Sequence, residues 1–192
     1  MHNERMPRIP AEQQTEAQKR VIAELEAGPR GKARGPWDAI MRSPGLMEQA
    51  HKLGEYVRFR SPLEKWIIEM TALMVSRSWT QQYEWASHYP LSIAAGLNAS
   101  IGDAIAEGRR PDGMSTREAA LHDFLSELFV NKSVSDKTYA SAVASFGEDG
   151  VVDVLGVVTY FTMLAMVMNV SRTPAVNHPP AKTPLIPMPL QP

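Results

Sequence analysis

The chain has 192 residues, with 20 Lys and Arg against 21 Asp and Glu, and it contains no cysteine. That length fits one domain with tails around a single core, and a formal charge of -1 gives no overall pull toward nucleic acid or an anionic membrane. The missing cysteine removes disulfides, thiolate metal ligands and thiol nucleophiles together. The start of the chain, Met1 to Pro7, lacks an apolar secretory core, so a cytoplasmic protein is the default expectation.

Residues 1–10 read as disordered. Ala11 to Ala27 reads as a helix with a weak apolar row (Ala17, Val21, Leu25), expected to dock loosely and to stop at Gly28-Pro29. Residues 1–28 are therefore an N-terminal extension. The loop from Gly28 to Pro36 holds Arg30, Lys32 and Arg34 among glycines; it is either a solvated basic linker or a grip for a carboxylate. Ser43-Pro44 opens a helix in which Leu46, Ala50, Leu53 and Val57 recur at helical spacing and His51 falls on the surface. Ser61-Pro62 opens the next, and Leu63 to Val75 is apolar nearly all round, as in a helix at the middle of a protein.

A turn at Ser78 to Thr80 leads into Gln81-Gln82-Tyr83-Glu84-Trp85-Ala86-Ser87-His88. Glu84 and His88 stand one helical turn apart, with Gln81 and Arg77 extending the row backwards. A solvated acid-histidine pair is the plain interpretation of that spacing; a polar row emerging from a buried helix pair favours a cavity wall instead. Pro90 should break the helix just after His88. Asn98 caps a short helix to Glu107, and Arg109 and Arg110 read as rim charges on the following turn. Ser115-x-x-Glu118 is a capping box for a helix with Leu121, Phe124, Leu125, Leu128 and Phe129 on its core side and His122 turned elsewhere.

Ser135 caps the helix from Asp136 to Phe146, and Gly147 separates it from a long helix to Asn169. The apolar run Val151 to Met168 approaches the length of a membrane span, but Asp153, Gly156 and Thr159 interrupt it and no basic flank precedes it, so it reads as a core helix and no membrane is expected. Tyr160 and Asn169 within it are expected to satisfy buried hydrogen bonds or to reach a ligand. Residues 173–192 form a proline-rich tail. No alternating strand pattern, phosphate-binding glycine fingerprint or repeat is present, and the fold class is all-α.

Tyr83-Glu84-Trp85-x-x-His88, with Ala94-Ala95-Gly96-Leu97 and Ala104-Ile105-x-x-Gly108 after it, resembles the core of the carboxymuconolactone decarboxylase family. The likeness extends from Gly35-Pro36-Trp37 through Arg42-Ser43-Pro44, Leu53-Gly54-Glu55-Tyr56 and Arg58-Phe59-Arg60 to Val134-Ser135-Asp136 and Thr159-Tyr160-x-x-Met163, covering residues 29–172. It implies a helical bundle of the carboxymuconolactone decarboxylase and alkyl hydroperoxidase D type, assembled into trimers or hexamers. The hydroperoxidase branch carries a Cys-x-x-Cys pair that this chain lacks, so thiol peroxidase chemistry fails.

What the resemblance implies is a carboxy-lyase acting on a lactone acid or a related small carboxylated substrate, needing no organic or metal cofactor. His88 is the expected proton donor with Glu84 as its orienting partner. Arg77, Arg58, Arg30 and Arg34 are the cations for the substrate, and Gln81, Tyr83 and Trp85 line the site; Tyr83 or Glu69 would inherit the chemistry if His88 were structural. Two other classes stay open. A metal bound by Glu84 and His88 requires a third ligand. A non-enzymatic helical oligomer or small-ligand-binding module would keep the scaffold and bind lactone acids without turnover.

Overall fold

In the computed structural model, residues 4–175 are described and every regular element among them is helical. A short 3-10 turn, Ala11–Gln13, precedes α1 (Glu16–Ala27), α2 (Pro36–Ile40), α3 (Pro44–Glu55), a π turn (Tyr56–Arg60), α4 (Lys65–Ser78), α5 (Gln82–Ala94), α6 (Ala99–Glu107), α7 (Thr116–Asn131) and α8 (Asp136–Ser171). The helix starts follow capping chemistry. Ser115 Oγ accepts from Glu118 N and Glu118 returns the bond to Ser115 N, while Asn98 and Ser135 cap α6 and α8.

Helix α4 is the central post. It packs against α5, α7 and α8, and Ile67, Met70, Thr71, Ala72, Leu73 and Val75 are buried around its circumference. An amphipathic helix buries one stripe; a helix apolar on all sides is covered by neighbours on all sides. Two apolar clusters flank it. One joins α1, α2, α3 and the second half of α8 around Trp37, Met41, Met47, Tyr160 and Phe161. The other joins α5, α6 and α7 to the first part of that half-helix around Trp85, Ile101, Leu121 and Leu125.

Several sequence expectations are corrected. The first helix does not dock loosely: Thr15 and Gln18 form a capping box the sequence reading passed over, and Val21, Ile22 and Leu25 are buried in the core. Residues 4–10 are tied down, with Arg5 N donating to Ser171 O at 2.7 Å and Arg8 bridging to Asp38 at 2.9 Å. On α3 the buried face is Met47, Ala50, His51 and Gly54; of the expected apolar row Ala50 and Val57 are buried whereas Leu46 and Leu53 are exposed, and His51 is interior. Pro90 does not end α5, which runs on to Ala94. Proline removes one backbone donor, and the buried neighbours Tyr89 and Ser92 hold the helix across it.

Within α8, Gly147 adopts φ 73 and ψ 166 and separates two helical segments, as the sequence suggested. The segment after it is long and apolar enough to cross a membrane by length and composition, yet Val151, Val154, Val157, Tyr160, Phe161, Leu164, Ala165 and Met168 are buried in the protein's own core. The tail beyond residue 175 and residues 1–3 lie outside the described residues.

Candidate active site

A cavity of about 610 Å³ opens between the residue 28–36 loop, the π turn, α5 and the second half of α8. Arg30, Lys32 and Arg34 enter from the loop, Arg58 from the π turn, Tyr83, Glu84, Ser87, His88 and Pro90 from α5, and Phe161, Leu164 and Met168 from α8. The π turn matters here. Ser61 N donates to Tyr56 O at 2.8 Å, a five-residue return that buries Val57 and turns Arg58 to the cavity. Such wider turns recur at functional sites because they re-aim single side chains.

The loop is fixed by close approach. Gly35 has φ 69, and a Cβ there would lie 2.6 Å from the Tyr83 ring, so only glycine admits the tyrosine against the backbone. Arg30 stacks over Trp37 at 5.0 Å and donates to the buried Tyr160 hydroxyl. Burial lowers the affinity of Arg30 for its proton, with Arg58 adding like-charge repulsion, although a guanidinium remains charged. Burial likewise raises the Tyr83 hydroxyl, opposed by Arg34 and Arg30.

His88 is held by a residue of the central post. Its Nδ1 lies 2.6 Å from Glu69 Oε2, both groups are buried, and Phe161 packs edge-on against the imidazole at 4.7 Å. Burial lowers the His88 pKa; Glu69 opposes that shift, and the Arg58 and Arg30 charges add to it. A neutral ring that gives its Nδ1 hydrogen to a carboxylate leaves Nε2 as the basic nitrogen. Glu84 is therefore not the imidazole's orienting partner. Its Oε2 accepts from Ser76 Oγ at 3.3 Å and its Oε1 is buried with no hydrogen-bond partner. Burial raises Glu84 well above the usual carboxylate range, against the opposing Ser76 hydrogen bond, and so favours its protonated form.

Of the other residues singled out from the sequence, the structure brings Arg30, Arg34, Arg58 and Tyr83 to the cavity and leaves three elsewhere. Trp85 is buried against Tyr89 in the second core cluster, because it falls on the face of α5 turned to α6 and α7. Gln81 is the N-cap of α5: it accepts from Tyr83 N at 2.7 Å and donates to Asn169 Oδ1 at 2.8 Å, which ties α5 to α8. Arg77 lines a second cavity with Gly108 and His122. The partner missed as such was Glu69. Its signal was a lone acid inside an otherwise apolar helix, a position that burial makes costly unless the charge is matched. Among the described residues no three His, Cys, Asp or Glu side chains converge as metal ligands.

No known family's sequence profile matches the chain, and no curated protein matches it either. Among solved structures, it is similar to a cysteine-to-alanine variant of the debrominase Bmp8 in complex with 2,3,4-tribromopyrrole, with a TM-score of 0.65 and 13% identity over 92% of this chain and 94% of that one. At that identity the likeness concerns the fold. The fold is all-α and is shared with that debrominase over most of both chains. This chain has no cysteine; its cavity presents His88, held from behind by Glu69, and Glu84.

Proposed function

We propose that the protein is an acid-base enzyme for small carboxylated substrates, and more specifically a carboxy-lyase acting on a lactone acid or a β-keto acid. The observation that carries this is the charge of the cavity. Arg30, Lys32, Arg34 and Arg58 line it, none makes an ion pair with a carboxylate among the described residues, and burial disfavours the charged form of Glu84, the acid that shares the wall. Uncompensated guanidinium groups in a recess select carboxylates, and their positive field also stabilises an oxyanion that develops on the substrate.

The reaction follows from those parts. With the substrate carboxylate aligned beside its neighbouring carbonyl, the carbon-carbon bond breaks, carbon dioxide leaves and the electron pair moves onto the carbonyl oxygen, where Arg58 and Arg30 offset the charge. The pair then returns to carbon as that carbon takes the proton of the Glu84 carboxyl. Burial disfavours the resulting Glu84 anion, which regains a proton through His88. The imidazole draws that proton from water at Nε2, and Glu69 supports its transient charge. One solvent proton is consumed for each carbon dioxide released. The substrate's own carbonyl serves as the electron sink, so this chemistry calls for no added cofactor.

The same reading has the chain as a homo-oligomer, a trimer or hexamer as the resemblance implies, and exposed Val152, Leu155, Met166 and Val170 on α8 support it. The test of function is a screen of lactone acids and β-keto acids for carbon dioxide release. Turnover supports the proposal; saturable binding without turnover across the set favours a ligand-binding module and overturns it.

A further inference from the structure

We propose that the second cavity, between the C-terminal ends of α4 and α6 and one face of α7, is a binding site for an amphipathic monocarboxylate: one carboxylate on a hydrophobic body. The cavity measures about 380 Å³, within the range of small-molecule sites. Its walls are two-sided in character. Met74, Ile105, Phe129 and Val130 supply apolar surface, and Arg77 and His122 supply polar groups.

The charge count singles out Arg77. Arg110 also lines the cavity, but both its guanidinium bonds go to Asp123 at 2.9 Å, and His122 Nδ1 is engaged by that same carboxylate at 3.1 Å. Arg109 is paired with Glu107 at 2.5 Å. Arg77 has no ion pair among the described residues, and its Nε is buried without a hydrogen-bond partner. The buried Nε is closed off from the cavity, but Arg77 lines the cavity without an ion pair, so an anionic acceptor there would meet the rest of its guanidinium.

The backbone makes room for this group. Gly108 ends α6 in the left-handed conformation with φ 74, and a Cβ there would sit 3.1 Å from Arg77 Nη2. One uncompensated cation calls for one negative charge, so a polyanion is disfavoured, and the apolar walls favour an alkyl or aryl body over a polar one.

Methionine methyl groups report on the two cavities separately, since Met74 lines this one and Met168 lines the first. The experiment titrates octanoate into the full chain carrying ¹³C-methyl methionine and follows both signals. A saturable shift of Met74 is expected, whether or not the carboxylate also occupies the first cavity and shifts Met168. In Arg77→Leu the Met74 response should weaken at least roughly tenfold, and in Arg77→Lys by less, with the remaining methionine signals unmoved as the sign of an intact fold. A Met168 response alone, no Met74 response up to about 10 mM, or equal responses to octanoate and octan-1-ol would overturn the proposal.

Discussion

The His88 imidazole and the Glu69 carboxylate meet at 2.6 Å across two packed helices, whereas Glu84, one turn back on the histidine's own helix, bonds to Ser76 instead. That exchange of partners separates two roles. Glu69 orients a ring that burial keeps neutral, and Glu84 is free to hold a proton.

The protonation of Glu84 has a signature in stability. Its folded pKa is raised, so the folded chain binds more protons than the unfolded chain between the ordinary carboxylate value and the raised one. The corresponding stability is full below the ordinary value and is lost as pH rises through the raised one. Glu84→Gln mimics the protonated acid and removes that loss. Thermal melts of the two proteins across pH should diverge as pH rises, with the variant the more stable on the alkaline side. Parallel curves would mean that Glu84 is ionised in the fold.

Arg58 carries no carboxylate partner and stacks over Phe59 at 5.1 Å. Arg58→Gln should raise KM for a carboxylated substrate by roughly tenfold or more, because it removes a charge-assisted contact. Arg117→Gln, at a site outside the cavity, should leave KM unchanged. Steady-state kinetics on the substrate found by screening would decide it, and an Arg58→Gln KM within about twofold of the parent would count against the anion grip.

Gly54 lies where a Cβ would come within 2.5 Å of the Tyr160 ring, and Tyr160 is fully buried. Alanine gains up to about 1 kcal/mol over glycine in a helix interior, but overpacking a rigid buried ring costs about 1–3 kcal/mol, so the clash wins. Gly54→Ala should therefore lower the melting temperature and, by displacing the tyrosine that receives Arg30, weaken substrate binding as well. An unchanged melt would show that Tyr160 moves aside freely.

Gln81→Ala separates capping from binding. The side chain both caps α5 and holds Asn169, so its loss should cost about 1–2 kcal/mol in urea unfolding while KM stays within about twofold. A large KM change with unaltered stability would return Gln81 to the substrate.

The helices were largely legible because caps and apolar periodicity are local: Ser115 with Glu118, Asn98, Ser135 and Gly147 all mark real boundaries. Register and partnership were harder. Spacing along one helix suggested Glu84 for His88, and only packing of α4 against α5 reveals Glu69, 19 positions away in sequence. Gln81 and Trp85 lie at the start of the helix that carries His88, but there they serve as a cap and as core, while Arg77, at the end of α4, lines a second cavity. Proline at 90 was over-read, since tertiary packing carries a helix through one missing bond.

The most direct test of the catalytic account compares turnover of the parent, His88→Ala and Glu69→Gln on the substrate that releases carbon dioxide, with circular dichroism verifying retained helix. Loss of a proton-transfer group costs about 10²- to 10⁴-fold in rate, and loss of the group that orients it should cost less. The account predicts that fall for His88→Ala, an intermediate fall for Glu69→Gln, and unchanged helix content in both. Turnover by folded His88→Ala within about threefold of the parent would contradict it.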